Sequence, residues 1–333
     1  MFAKRRAHMN IRLTVALAIA TLLLAIAYTS TASAQSAAAN TLRVTPVRTD
    51  IEILPGQSKT VPTTVTNLTG ASITVRPTTN DFVSGDERGT PSLILDENQF
   101  APSHSLKRFM GPLADVTIPA NQSKTVNVVI TVPADAKAGG YFGAVRFSPA
   151  TPDSGGQVNT SASVASLILL TVPGDALENL QLTNFDVKQG GNAGPNFFDG
   201  KSLQVTSRFK NEGNLQAGPF GKITVKKGDT VVYEADFNNK NPRDMVLPGG
   251  ARVWDLPIEN VDGFGQYTVL ATFTYGSKNQ TIEAVKSFWV IPPFVIIGAI
   301  VALLVLVGII IGLVVYFRGS KRKRSLPRGP KRI

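Results

Sequence analysis

The amino-acid sequence predicts an all-β body of two tandem Ig-like β-sandwiches, preceded by a signal peptide and followed by one transmembrane α-helix. Short segments rich in Val, Ile, Thr and Phe alternate with Pro, Gly and Asn, which is typical of strands joined by tight turns. No amphipathic helix is recognisable between residues 35 and 291. The long uncharged apolar runs lie near the two ends of the 333-residue chain.

The N-terminus has the three parts of a secretory signal peptide. Residues 1–12 are basic, residues 13–28 are apolar, and a small-residue A-x-A site ends at Ala34, ahead of Gln35. Sixteen apolar residues reach only about 24 Å as a helix, which is short of a bilayer core of about 30 Å. Residues 1–34 are therefore predicted to be cleaved between Ala34 and Gln35, and an uncleaved anchor is the alternative.

The C-terminal apolar run is long enough to cross a membrane. Residues 294–317 contain no charge and would extend about 36 Å as a helix. The basic segment 318–333 follows directly, so the positive-inside rule predicts a cytoplasmic tail and an extracellular body. The predicted partner of residues 294–317 is therefore the lipid bilayer of the cell membrane.

Two local features accompany this helix. Trp289, Tyr316 and Phe317 lie near its two ends, where aromatic residues are enriched at membrane interfaces. Gly308 and Gly312 form a GxxxG spacing, which permits close helix approach and makes self-association a candidate property.

The charge distribution argues against nucleic-acid binding. The whole chain has a formal charge of +11, but the two ends hold twelve basic residues and no acid, so residues 41–317 sum to −1. An electrostatic nucleic-acid footprint needs basic residues gathered on a folded face. With no Cys and only two His in the sequence, thiolate or histidine metal sites are not expected, and no cofactor is predicted.

The strand pattern divides the body into two parts. The first sandwich is predicted at residues 41–172 and the second at residues 176–288, with the Pro-Gly-Asp at 173–175 between them and a Gly/Ser/Asn-rich hairpin loop at residues 150–163. The predicted strands are residues 42–47, 59–66, 72–77, 125–132, 141–147, 163–172, 203–209, 221–226, 230–234, 252–256, 265–275 and 280–288.

A weak internal repeat accompanies these strands. Residues 55–61 and 119–126 share Gln-Ser-Lys-Thr-Val after a Pro/Gly/Asn turn, and residues 247–253 form a looser third copy. We interpret the repeat as a turn that brings a strand into its sheet in register. The alternative is that unrelated turns and strands simply look alike.

No residue pattern indicates catalysis. His104, the one His outside the leader, is expected to be exposed in a loop, and no G-x-S-x-G motif accompanies it. Acidic residues cluster in one segment but lack a recognisable calcium-binding spacing, so they are expected to be loop charges; they are Asp81, Asp86, Glu87, Asp96 and Glu97. The chain is predicted not to be an enzyme.

Two groups of residues are candidates for binding. Lys107, Arg108 and Phe109 combine two cations with an aromatic ring and would suit an anionic glycan or a protein partner, unless Phe109 belongs to the core. Trp254 would stack on a sugar, but alternation places it on the same side of its strand as Leu256, which favours the core.

Several turn and strand motifs resemble the bacterial WxL-interacting protein family. In the first sandwich they are Val44-Thr45-Pro46, Leu54-Pro55-Gly56, Val65-Thr66-Asn67-Leu68-Thr69, Ala138-Gly139-Gly140-Tyr141-Phe142-Gly143 and Leu170-Thr171-Val172-Pro173-Gly174. In the second they are Phe209-Lys210-Asn211-Glu212-Gly213-Asn214 and Val246-Leu247-Pro248-Gly249. The resemblance implies a peptidoglycan-binding-type domain, a following Ig-like domain, and contact with peptidoglycan and surface proteins.

The sequence thus leads to a membrane-anchored, extracellular, non-catalytic surface protein. Its expected role is to bind cell-wall peptidoglycan, to scaffold surface proteins, or both. The alternative is an adhesive module that binds another protein through a sheet edge without binding glycan. A cell-wall hydrolase with an unrecognised site is the minor alternative.

Overall fold

A computed structural model describes residues 41–150, 163–197 and 199–323. The signal peptide with its Ala34–Gln35 cleavage site, most of the loop at 150–163 and the tail from residue 324 lie outside these ranges. The described residues are mostly β-strand, with one long C-terminal helix, as the sequence predicts. The compact unit that they form begins at Leu42.

Residues 42–172 form two sheets around one apolar core, and we call this part the N-terminal sandwich. Its strands are β1 (Leu42–Thr45), β2 (Arg48–Glu52), β3 (Ser58–Asn67), β4 (Ile73–Ser84), β5 (Pro91–Leu93), β6 (Val116–Ile118), β7 (Ser123–Thr131), β8 (Gly139–Pro149) and β9 (Val164–Val172). One sheet has the order β1-β3-β7, and the other has the order β2-β9-β8-β4-β5, with β6 also paired to β4.

Residues 180–290 form two further sheets around a second core, and we call this part the C-terminal sandwich. Its strands are β10 (Leu180–Gln189), β11 (Asn192–Ala193), β12 (Asn196–Phe197), β13 (Leu203–Asn211), β14 (Phe220–Lys227), β15 (Thr230–Phe237), β16 (Ala251–Pro257), β17 (Gly265–Tyr275) and β18 (Gln280–Val290). The sheet orders are β11-β10-β13-β16 and β12-β18-β17-β14-β15.

The two sandwiches share one strand topology. β2 runs parallel to β9 as β12 runs parallel to β18, and the antiparallel series β9-β8-β4-β5 matches β18-β17-β14-β15. The register also agrees, because Leu42 pairs with Asn67 in the first sandwich and Leu180 pairs with Asn211 in the second. The matching order makes β7 and β16 counterparts. The Ig-like domain boundaries at residues 41–172 and 176–288 stay predictions.

The repeated turn is one structural element in all three copies. Each copy is a type II turn, in which the fourth residue donates its N–H to the first carbonyl and the third residue has positive φ. The turns span residues 54–57, 119–122 and 247–250, with N–O distances of 3.1, 3.2 and 3.0 Å, and the positive-φ residues are Gly56, Asn121 and Gly249. They introduce β3, β7 and β16, as the sequence interpretation requires.

A buried asparagine holds each of the turns at residues 119–122 and 247–250. Asn67 Nδ2 donates to the carbonyls of Ala71 and Ile118 at 2.7 and 3.1 Å. Asn211 Nδ2 donates to Leu215 and Val246 at 2.8 and 2.9 Å. Both side chains are fully buried, so each amide satisfies carbonyls that water does not reach.

Two tyrosines mark corresponding corners of the sandwiches. The Tyr141 hydroxyl donates to the Lys137 carbonyl, and the Tyr267 hydroxyl donates to the Gly263 carbonyl, both at 2.9 Å. Each bond reaches back four residues, as in the tyrosine corner of Ig-like sandwiches. Burial raises the pKa of Tyr141.

The sequence misses several strands, of which the ten-residue β10 is the largest. Its apolar residues Leu180, Leu182, Phe185 and Val187 change parity at a β-bulge between Leu182 and Asn184. The bulge interrupts the two-residue alternation by which a half-buried strand is recognised. The predicted strand at residues 42–47 ends at Thr45 as β1, and β2, which begins at Arg48, is not predicted.

The C-terminal helix, α1, spans Pro293–Lys323. Its stretch Pro293–Phe317 is 25 residues long, is not buried in the protein, and is apolar enough to cross a membrane. Nothing lies within 4 Å of the Cβ positions of Gly308 or Gly312 among the described residues, and self-association through them stays a prediction.

Candidate functional site

Sheet edges are the first surfaces to consider, because their unpaired main-chain groups can accept another strand. The edge strands of the four sheets are β1, β2, β5, β6, β7, β11, β12, β15 and β16. β7 is the longest of these, with nine residues, and Lys124 is its one charged residue. β15 has eight residues but carries Glu234 and Asp236, and β16 has seven with Arg252 and Asp255.

The outer side of β7 is partly unpaired. Val129 directs its main-chain groups away from β3, and its carbonyl accepts the Gly111 N–H at 3.0 Å. By alternation, Thr125 and Asn127 direct theirs to the same side, and these groups have no hydrogen-bond partner among the described residues. We call the Thr125 and Asn127 main chain the open edge.

Apart from Lys124, which precedes Thr125, the side chains around the open edge are uncharged. Val126 and Val128 point into the core, whereas Val129 is 46% exposed on the outer face. On that face the hydroxyls of Thr64 and Thr125 are hydrogen-bonded at 3.0 Å, and this cross-strand pair holds β7 to β3. The open edge therefore belongs to a firmly held strand, and Lys124 is the one charge on that strand that could oppose edge pairing.

At the matched position, the edge of the second sandwich has a main-chain partner within the chain, and we call this part of β16 the closed edge. The Val253 N–H of β16 donates to the Glu87 carbonyl, in the loop between β4 and β5, at 2.6 Å. The Glu87 carboxylate binds Arg208 through two hydrogen bonds of 2.9 and 2.6 Å, and this interaction lowers the pKa of Glu87. Matched register makes Thr125 the counterpart of Val253, because Ser123 and Ala251 begin the two strands opposite Thr66 and Lys210.

Gly89 completes this covering loop. Its φ is +89°, and a Cβ placed there would come within 2.3 Å of the Arg252 guanidinium carbon. Arg252 in turn lies 5.0 Å from the Trp254 ring and forms an ion pair with Asp244 at 3.1 Å. A glycine is therefore required both for the backbone and for the space that Arg252 occupies.

The contact between the sandwiches extends beyond this loop. A small apolar cluster combines Phe82, Phe142 and Leu169 with Met245 and Leu247 of the C-terminal sandwich. The Gly140 N–H donates to the Asn214 carbonyl at 2.8 Å, and Asn214 Nδ2 donates to the Ala138 carbonyl at 3.0 Å. These contacts join the two sandwiches directly.

A cavity of about 250 Å³ lies beside this contact. Phe82, Leu169 and Met245 contribute apolar walls, and Arg48 and Arg252 contribute charge. Asp50 neutralises Arg48 at 2.6 Å, and Asp244 neutralises Arg252. Neither of these two guanidinium groups is left uncompensated for an incoming anion.

The predicted Lys107–Arg108–Phe109 loop divides into two parts. These residues form a short 3-10 helix, in which Phe109 is half-buried against the core with its ring 4.8 Å from Tyr141. Lys107 and Arg108 lie over the ring of Phe100, at 5.0 and 4.3 Å from its centroid. Arg108 is exposed, so it and Phe100 form the accessible part of this loop.

Trp254 lies in the other sandwich and packs into its core. Its ring contacts Phe209 and Phe237 at centroid distances of 5.7 and 5.4 Å. The structure therefore does not bring Trp254 together with Lys107, Arg108 and Phe109, and it adopts the core placement that strand alternation favours.

The residues weighed for chemistry have structural partners. His104 is half-buried, and its Nδ1 lies 2.6 Å from the Gly140 carbonyl, so it is not the exposed loop His that the sequence suggests. The buried Asp81 carboxylate accepts the N–H groups of Ala101 and Lys107 at 2.9 and 2.8 Å. Within the described residues, no group of three or more His, Cys, Asp or Glu side chains is arranged to hold a metal ion.

Comparisons with known proteins give distant structural likenesses. No family model and no curated protein matches the chain. The chain is similar to the class 5 fimbriae chaperone CfaA (14% identity, 74% of this chain and 98% of that chain, TM-score 0.38) and to the E. coli chaperone DraB (14%, 74% and 96%, TM-score 0.32). It is also similar to a chain from the Salmonella enterica SafA pilin–SafB chaperone complex (12%, 74% and 96%, TM-score 0.33). At scores this low, nothing about the function of this chain follows.

Proposed function

We propose that this chain is a membrane-anchored, extracellular, non-catalytic surface protein that scaffolds other surface proteins by binding an extended segment at the open edge of β7. The signal peptide, the two sandwiches as tandem Ig-like domains, the transmembrane helix and the basic cytoplasmic tail form the proposed topology. Its supports are the apolar stretch Pro293–Phe317 and the basic residues that follow it.

The observation that carries the binding proposal is the contrast between two equivalent edges. β16 satisfies the Val253 N–H with the Glu87 carbonyl, so this protein already contains a strand edge whose outer N–H is bonded to the main chain of a loop. The Thr125 N–H occupies the same position on β7 and has no such partner among the described residues. A partner strand would fill it with main-chain hydrogen bonds, and residues beside Val129 would provide the side-chain contacts.

Site-specific photo-crosslinking in the producing cells tests this proposal. A benzoylphenylalanine at Val129 is expected to form an adduct with one surface protein, mapped to one extended segment. The matched control is the same residue at Val231, which lies on edge strand β15 and is 49% exposed, against 46% for Val129. The same adduct at both positions, or none at Val129, would contradict the proposal.

Peptidoglycan binding is the second candidate, and a specific observation favours it. Arg108 lies over the 38%-exposed Phe100, which joins an exposed cation to an exposed ring. Such a pair suits an anionic peptide stem or a sugar face. Because the body is nearly neutral, wall binding is expected to weaken only modestly with salt.

Co-sedimentation with insoluble peptidoglycan separates the two candidates. The purified protein in mild detergent is mixed with cell wall at low and at physiological salt. If the glycan candidate holds, Arg108→Ala reduces retention and Arg88→Ala, a similarly exposed arginine on another loop, does not. A clean supernatant for the unmodified protein rejects peptidoglycan binding and leaves the open edge as the binding surface.

A further inference from the structure

The junction between the C-terminal sandwich and α1 is held by hydrogen bonds. The Trp289 N–H donates to the Pro195 carbonyl and the Ile291 N–H donates to the Phe197 carbonyl, both at 2.7 Å. Strand pairing therefore continues to within two residues of the helix, which begins at Pro293. Almost no flexible linker therefore separates the sandwich from the helix, and the two are expected to move together.

The first turn of the helix is less exposed than the turns that follow it. Val295 and Ile296 are half-buried, whereas Ile297 and the helix residues after it as far as Phe317 are exposed. The additional burial of Val295 and Ile296 comes from the residues around the start of the helix, where the chain leaves the sandwich. The lower end of the sandwich is therefore level with the start of the apolar stretch, where a bilayer has its interface.

Two exposed aromatic side chains lie at this same end. β17 begins at Gly265, which pairs with Val290, so Phe264 is level with Ile291. Ile291 is two residues before Pro293, which places it about 7 Å at most from the start of the helix. Phe264 is 48% exposed and Trp289 is 40% exposed, and their ring centroids are 6.1 Å apart. Outside α1, the other exposed large aromatic among the described residues is Phe100.

We propose that Phe264 and Trp289 insert into the outer interface of the bilayer that α1 crosses, and that they fix the sandwich against the lipid surface. Aromatic rings favour this zone, where one part of the ring meets acyl chains and another meets headgroups. Lys227 lies on the neighbouring β14–β15 turn, 5.3 Å from the Tyr267 ring, where its ammonium can meet lipid phosphate. This inference rests on the proposed membrane anchorage.

The chain's two tryptophans allow a direct test in the full-length protein, reconstituted into phosphatidylcholine vesicles. Trp254→Phe leaves Trp289 as the one fluorophore, and Trp289→Phe leaves the core residue Trp254. Phospholipids brominated near the headgroup end of the acyl chain are expected to quench Trp289 strongly and Trp254 little. Bromines near the chain terminus are expected to quench Trp289 less.

A third protein controls for position. Trp254→Phe, Trp289→Phe and Val285→Trp together place the fluorophore four residues earlier on the same outer face of β18, at a site that is 63% exposed in the native chain. We expect it to be about 13 Å further along the strand and to show no loss of emission with brominated lipid. Equal quenching at both positions would overturn the inference.

Flotation of the vesicles separates the two levels of the proposal. A chain that does not float with lipid contradicts the membrane anchor itself. A chain that floats while Trp289 emission is unaffected by any brominated lipid contradicts this inference and leaves the anchor intact. If Trp254→Phe fails to fold, the difference in quenching between the unmodified protein and Trp289→Phe gives the same answer.

Discussion

The strands β7 and β16 are the same element of two matching sandwiches, yet one edge is open and the other is closed. Both follow a type II turn, and both pair antiparallel with a strand that ends in a buried asparagine. The loop at Glu87 closes β16, whereas the outer main-chain groups of Thr125 and Asn127 have no partner among the described residues. The shared fold therefore does not require an open edge, and the proposed binding rests on its presence in one copy.

The largest effect is expected from the two buried asparagines, because their amides serve both sandwiches in the same way. Asn67→Ala and Asn211→Ala each remove two hydrogen bonds to main-chain carbonyls and one from a main-chain N–H at a fully buried side chain, which costs about 3 kcal/mol of unfolding free energy. Chemical denaturation in mild detergent measures this. A large loss for one variant and none for the other would show that the two sandwiches are not equivalent.

Opening the closed edge is expected to have the next largest effect. Gly89→Ala places a methyl group on Arg252 and displaces the covering loop, whereas Gly228→Ala adds a methyl group at a similarly positive φ with nothing within 4 Å. Both variants lose about 1 kcal/mol to backbone strain, and only Gly89→Ala also exposes β16. Light scattering should detect self-association for Gly89→Ala alone, and equal behaviour would mean that the loop does not protect the edge.

The tyrosine corners are expected to contribute less. Tyr141→Phe and Tyr267→Phe each remove one hydroxyl hydrogen bond at matched positions, at a cost of about 1 kcal/mol. Thermal unfolding of the two variants should give similar decreases in Tm. If Tyr141→Phe lowers Tm and Tyr267→Phe does not, the two sandwiches are equivalent in their strands but not in their tyrosine corners.

The smallest effect concerns pH at the closed edge. The hydrogen bond from Arg208 lowers the pKa of Glu87 below its ordinary value, so the stabilisation is present above the unfolded-state pKa and is lost as pH falls through the folded value. The covering loop should therefore loosen below about pH 4. Trp254 emission in the Trp289→Phe protein reports this change, and Glu87→Gln should remove most of its pH dependence.

The sequence predicts the strands that keep a regular alternation and misses those that do not. β17 is predicted at its observed bounds, whereas β10 escapes because its bulge shifts the pattern by one residue. The repeated turn is recognisable in sequence, but the matching roles of Asn67 and Asn211 are not, because their partner carbonyls lie 51 and 35 residues away along the chain.

The candidate site is harder to predict than the strands. An edge strand differs from a central strand only in its neighbours, so the sequence of β7 alone does not show that one side is unpaired. The sequence predicts a cation–aromatic group formed by Lys107, Arg108 and Phe109. In the structure Phe109 packs against the core, and Phe100 is the aromatic ring that lies under Arg108. Contacts distant in the chain decide both outcomes.

Amide hydrogen exchange at Thr125 and Val253 tests the central claim most directly. In the full-length protein in lipid nanodiscs, we expect fast exchange at Thr125, whose N–H is unpaired among the described residues, and slow exchange at Val253, whose N–H is bonded to Glu87. Binding of the partner segment identified by crosslinking at Val129 should protect Thr125 and leave Val253 unchanged. Slow exchange at Thr125 in the free protein, or no added protection when the partner is bound, would contradict the account.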